Sequence, residues 1–108
     1  MPHHYAVDLD GVLAEHEDWH GVTVIGRPIP AMLRRVKKWL AEGNDVTIFT
    51  ARAGEGRKAI NLIKVWLRNQ GLPDLPVTHI KEHYFEKIYD DKAVTVEQNT
   101  GRILSIGE

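Results

Sequence analysis

Tyr5-Ala6-Val7-Asp8-Leu9-Asp10-Gly11-Val12 runs an apolar segment straight into two carboxylates one residue apart, with a glycine immediately behind them. Tyr5, Ala6 and Val7 lack the polar interruptions of a half-exposed strand. Residues 5–8 therefore read as a buried strand at the centre of a sheet. Alternation along a strand puts Asp8 and Asp10 on the same side. Like charges so placed require a cation between them or a proton on one of them. Gly11 lets the backbone turn beyond the pair, where a side chain would be strained or in the way. An ordinary polar turn at a strand end would look the same, so the rest of the chain has to decide.

Working outward, the periodicity collapses over residues 14–28, which read as a loop or small β-flap leaving the acidic strand end. Trp19, His16 and His20 are its candidate substrate-facing residues, with Trp19 and Ile25 the ones to pack it onto the body. Leu33, Val36 and Leu40 recur at helical spacing after Pro30, giving a helix over residues 31–42 closed by Gly43. Its basic residues Arg34, Arg35, Lys37 and Lys38 fit a solvated face. Val46-Thr47-Ile48-Phe49 is a second buried strand ending at Thr50-Ala51-Arg52, and a second helix follows over residues 56–70. Val77-Thr78-His79-Ile80 forms a third strand ending at Lys81, and Ile88-Tyr89 leads into Asp90-Asp91. Val94-Thr95-Val96 and Arg102-Ile103-Leu104 flank a glycine-containing turn, a hairpin signal.

Strands alternating with helices imply an α/β fold, three-layered and Rossmann-like, with a mostly parallel central sheet, the flap after the first strand and a C-terminal β-hairpin. With 108 residues, a single domain spanning 1–108 is expected, and any substrate cover must be small. The net charge of −1 gives no bulk case for nucleic-acid binding. The absence of cysteine excludes disulfides and thiolate metal sites. No stretch approaches a membrane span and residues 1–4 lack the apolar core of a secretory signal, so a cytoplasmic protein without a membrane or obligate protein partner is expected.

In an open parallel sheet, sites form beyond the carboxyl ends of the strands. Asp8 and Asp10, Thr50, Lys81, and Asp90 with Asp91 all fall there. Carboxylates to hold a divalent cation, a hydroxyl donor and a fixed positive charge together suit a phosphoryl group.

In order and in strand-end placement, Asp8-Leu9-Asp10-Gly11-Val12, Thr50-Ala51-Arg52, Lys81 and Asp90-Asp91-Lys92-Ala93 resemble the four motifs of the haloacid-dehalogenase-like phosphohydrolase superfamily. The likeness is greatest to small members with little or no cap, including phage and bacterial proteins and the phosphatase domain of polynucleotide kinases. The resemblance implies an Mg²⁺-dependent phosphatase in which Asp8 is nucleophile and metal ligand. Asp10 would be acid and then base, its backbone carbonyl on the metal. Thr50 and Ala51 would bind the phosphoryl group, and Lys81 would neutralise it. Asp91, with Asp90 beside it, would complete the metal site. The implied substrate is a phosphorylated small molecule, a nucleotide or a nucleic-acid end, for which Arg57, Lys58 and Trp19 are further contact candidates.

Two residues are open on spacing alone. Lys87 competes with Lys81, but three residues of strand at ~3.3 Å each put it roughly 10 Å from Asp90 along the strand. Arg52 reads equally well as a substrate contact or an exposed loop arginine. If the last strand continues through Asp90 and Asp91, only one of the two faces the cation. A receiver-like phospho-acceptor domain would carry its phosphorylated aspartate on a middle strand, where this chain has Thr50. A non-catalytic phosphate-binding protein would have no use for Asp10.

Overall fold

The computed structural model describes residues 2–17, 21 and 24–104, and the following statements concern those residues. Four strands form one all-parallel sheet: β1 (His4–Val7), β2 (Asp45–Phe49), β3 (Val77–Thr78) and β4 (Lys87–Tyr89). The order across the sheet is β3-β2-β1-β4, with β1 central as its apolar run predicts. Helix α1 (Pro30–Ala41) joins β1 to β2, and α2 (Arg57–Asn69) leads from β2 to β3. The architecture is a Rossmann-like α/β fold.

Register explains how the layers form. Tyr5 pairs with Val46 and Val7 with Ile48, so these four side chains share one face. Val7, Val46 and Ile48 belong to one buried cluster with Met32 and Val36 of α1 and Ile63 and Leu67 of α2. Tyr5 meets Trp39 of α1 at 4.7 Å between ring centroids. Both crossovers move the chain in the same direction along the sheet, which places both helices over this face.

The alternate residues His4, Ala6, Thr47 and Phe49 face the other way. There the third layer is irregular chain rather than helix. Phe85 packs against both His4 and Phe49, Tyr84 packs on His4, and the buried Thr47 hydroxyl lies 2.7 Å from His4 Nε2.

Three expected elements differ in detail. β3 stops at Thr78 because the Thr78 hydroxyl accepts from the Ile80 N–H at 3.0 Å, bending the chain away from the sheet. The segment after Thr50 is not a loop but a 3₁₀ helix, Ala51–Glu55, whose buried Ala53 seals it onto the body. The C-terminal hairpin contracts to a single bridge, Val96 to Ile103, around a turn tied by Arg102 to Glu97, and it lies outside the four-stranded sheet.

The flap is anchored at its stem. Ala14 bridges Pro28 in antiparallel fashion, and the Glu15 N–H donates to the Arg27 carbonyl at 2.8 Å. A Cβ on Gly26 would run into the Glu15 carbonyl, so only glycine lets the two stem strands approach this closely. Trp66 of α2 donates its indole N–H to the Gly26 carbonyl at 3.0 Å, and Ile25 packs on the core. Trp19 and His20 lie outside the described residues.

Candidate functional site

Parallel strands deliver their carboxyl ends to one edge of the sheet. Val7 lies opposite both Ile48 and Tyr89, so Asp8 and Asp90 follow directly from neighbouring strands, and Thr50 follows Phe49. The Asp8 N–H donates to the Tyr89 carbonyl at 2.9 Å, extending this pairing one residue past the strand. The crossovers from β1 run towards β2 while β4 arrives on its opposite flank. The gap between β1 and β4 is therefore the topological switch point, where ligand crevices form in such sheets.

A cavity of about 480 Å³ opens at this edge, lined by Asp8, Asp10, Thr50, Arg52, Asp90 and Asp91 among others. With Ala51, seven of the eight residues singled out from the sequence thus converge. Lys81 does not: it is exposed, three residues past the shortened β3, and His79 lines the cavity in its stead. Lys92 is also in the lining, whereas Lys87 is exposed on the edge strand.

Oxygens of Asp8, Asp90 and Asp91 lie within 4.8 Å of one another. The condition under which only one of Asp90 and Asp91 would face a cation, a strand running through both, is not met. β4 ends at Tyr89, and the Asp90 Oδ1 accepts from the Lys92 N–H at 2.7 Å, so strand alternation no longer separates the two carboxylates. Asp91 also reaches Gly11: a Cβ there would overlap the Asp91 carboxylate, and Gly11 has φ +86°. The glycine behind the acidic pair is therefore required on both counts.

Burial first, then the charges of Asp90, Asp91 and Asp10, push Asp8 up to about 6, against a pull downward from the Leu9 N–H. That N–H donates to Asp8 Oδ1 at 2.8 Å, which orients the carboxylate and leaves its second oxygen for chemistry. Three crowded acids with one pushed well above its ordinary value form a group that could hold a metal ion.

Thr50 caps the 3₁₀ helix, its buried Oγ1 accepting from the Arg52 N–H at 3.2 Å. Accepting through oxygen leaves the hydroxyl hydrogen available to donate. Arg52 itself overturns the exposed-loop reading. It is buried and bonds both oxygens of Asp10, at 2.7 and 2.9 Å. Sequence reasoning missed this pairing because the partners are 42 residues apart and no local pattern encodes it. It also missed His79, Phe49, Glu55 and Lys92 in the cavity wall. For His79 a signal existed, since a threonine two residues before Ile80 can close a turn and end the strand early.

No family model matches the chain, and no curated protein sequence matches it. Among solved structures it is similar to a conserved protein from Bacteroides thetaiotaomicron, with a TM-score of 0.65 over 86% of this chain and 78% of that one. The sequences are 19% identical, so the likeness speaks to fold alone.

Proposed function

We propose that this chain is an Mg²⁺-dependent phosphomonoesterase of the haloacid-dehalogenase-like kind, acting through an aspartyl-phosphate on Asp8. The observation that carries the reading is the convergence of Asp8, Asp90 and Asp91 within 4.8 Å beside Asp10 and Thr50 at the carboxyl edge of the sheet.

The donor set fits a hard divalent cation. It is all oxygen, and it concentrates negative charge that a phosphate dianion could not otherwise join. Asp8, Asp90 and Asp91 would hold Mg²⁺ together with the Asp10 backbone carbonyl. Bound there, the ion supplies charge neutralisation at the phosphoryl oxygens.

The chain's own groups do the rest. The Asp8 oxygen not held by the Leu9 N–H attacks phosphorus, forming an O–P bond as the bond to the leaving oxygen breaks. Asp10 gives that oxygen its proton, then takes one from the water that cleaves the aspartyl-phosphate and regenerates the Asp8 carboxylate. The Thr50 hydroxyl donates to a phosphoryl oxygen. Lys81 serves as the neutralising ammonium only if its side chain reaches in from the exposed turn after β3, past a wall that Lys92 already lines.

The cavity is of a size for a nucleotide or sugar phosphate, and a phosphorylated nucleic-acid end or small metabolite remains within the class. A screen of 3′- and 5′-phosphorylated oligonucleotides, nucleotides, sugar phosphates and p-nitrophenyl phosphate tests the reading. Phosphate release is expected to stop on addition of EDTA and to return with excess MgCl₂. Release that ignores chelation, or none from any substrate, would sink the proposal.

No helix among the described residues is long and apolar enough to cross a membrane.

A further inference from the structure

Arg52 is the one charged side chain in the buried set of the described residues, at 3% exposure. A buried guanidinium is costly unless its donors are met. Its Nε donates to Asp10 Oδ2 at 2.7 Å and its Nη2 to Asp10 Oδ1 at 2.9 Å, the parallel fork that fixes a carboxylate in both position and plane. Nη1 donates to the Gly21 carbonyl at 3.1 Å, within the flap. The backbone N–H of the same residue holds the Thr50 hydroxyl oxygen. One residue therefore ties together the candidate acid, the candidate hydrogen-bond donor to the phosphoryl group and the flap.

We propose that Arg52 is the positioning residue for Asp10, aiming its carboxyl at the leaving group and coupling that aim to the flap through Gly21. The inference rests on the phosphomonoesterase reading above. A carboxyl that must first give a proton and then take one has to present the same oxygen to the cavity twice. The fork prevents the carboxylate from swinging between the two events. Oδ2 keeps its bond to Nε. Oδ1, which also lies 3.8 Å from His16 Nδ1, exchanges the proton. When the ester bond breaks, the leaving oxygen keeps the bonding electron pair and takes the proton from Oδ1. Oδ1 recovers one when water attacks the phospho-enzyme. Loss of the fork should therefore harm only those reactions whose leaving group needs a proton.

The experiment compares kcat/KM, which reports the steps up to phospho-enzyme formation, for p-nitrophenyl phosphate and for glycerol phosphate. Nitrophenolate departs without a proton, whereas an alkoxide does not. Arg52→Gln and Arg52→Lys are expected to lower kcat/KM on glycerol phosphate about 100-fold while changing it less than about threefold on the aryl ester. Adding Asp10→Asn to Arg52→Gln should cost little more on glycerol phosphate. Equal losses on both esters would reduce Arg52 to a structural role and overturn the inference, as would no loss on either. Should Arg52→Gln fail to fold by circular dichroism, Arg52→Lys decides, because it keeps the buried charge but not the fork. A wild-type protein active on both esters with unselective variants defeats this inference alone; one inactive on both defeats the phosphatase reading with it.

Discussion

Asp8→Asn is expected to abolish Mg²⁺-dependent phosphate release, by about 10⁴-fold or more, while making the metal-free protein more stable. The two effects share a cause. Burial and the neighbouring acids hold Asp8 up at about 6, against an ordinary value of 3.8. Between these values the folded protein binds more protons than the unfolded chain, so stability falls as pH rises through this window. The cost is absent below about pH 4 and complete above about pH 6. Asp8 is partly exposed, so solvent screening reduces it to about 1 kcal/mol, or about 5 °C in Tm for a domain of this size. Melting curves of wild type and Asp8→Asn between pH 4 and 8 should coincide at the acid end and diverge, variant higher, towards pH 7.5. Subtraction cancels Glu86 and Glu97, which are pulled downward chiefly by His3 and Arg102 and titrate in both proteins. MgCl₂ should raise the wild-type Tm at pH 7.5 and leave that of the variant nearly unchanged. An active variant refutes the nucleophile assignment; a variant no more stable than wild type refutes the electrostatic account of the site.

Gly11→Ala is the second large effect, and Gly43 provides its control. Both glycines have φ +86°, but a Cβ at Gly43 meets nothing within 4 Å, whereas at Gly11 it overlaps the Asp91 carboxylate. Gly43→Ala therefore bears only the conformational cost of a left-handed alanine, about 1 kcal/mol. Gly11→Ala adds the displacement of Asp91, for a total of about 2–3 kcal/mol and a Tm lowered by about 10–15 °C. Because Asp91 moves, Mg²⁺ affinity read by calorimetry should fall about 10- to 100-fold in Gly11→Ala and hold in Gly43→Ala. Equal behaviour of the two variants would mean that Asp91 does not occupy the place described.

The parts of this fold that the sequence exposes are those governed by short-range pattern. Helices α1 and α2 begin and end within a residue of where apolar spacing, Pro30, Gly43 and Gly71 put them. β1 and β2 follow from their apolar runs, and their shared direction follows from the helix between them. That was enough to bring Asp8, Asp10, Thr50, Asp90 and Asp91 to one edge. The illegible parts depend on contacts between distant residues or on one side chain's choice of partner. Thr78 uses its hydroxyl to bend the backbone, which shortens β3 and leaves Lys81 exposed. Val94, Val96, Ile103 and Leu104 have strand-like chemistry, yet each stays about half exposed and, among the described residues, the hairpin closes one bridge. Arg52 could be sorted from an ordinary loop arginine only by knowing that Asp10 stands opposite it.

The closure of the flap at Ala14–Pro28 and Glu15–Arg27 separates two design problems. Below the closure, the chain enters and leaves the body at fixed points, and Gly26 and Trp66 clamp the exit. Above it, His16 and Gly21 meet Asp10 and Arg52, and the entropic cost of closing the loop grows slowly with its length. The stem is thus a socket. Segments of other sizes grafted between His16 and Ile25, with Gly26 and the rest of the stem kept, should leave the sheet and the acid cluster standing, and on the phosphatase reading proposed above this is the place to begin altering which phosphate esters are admitted.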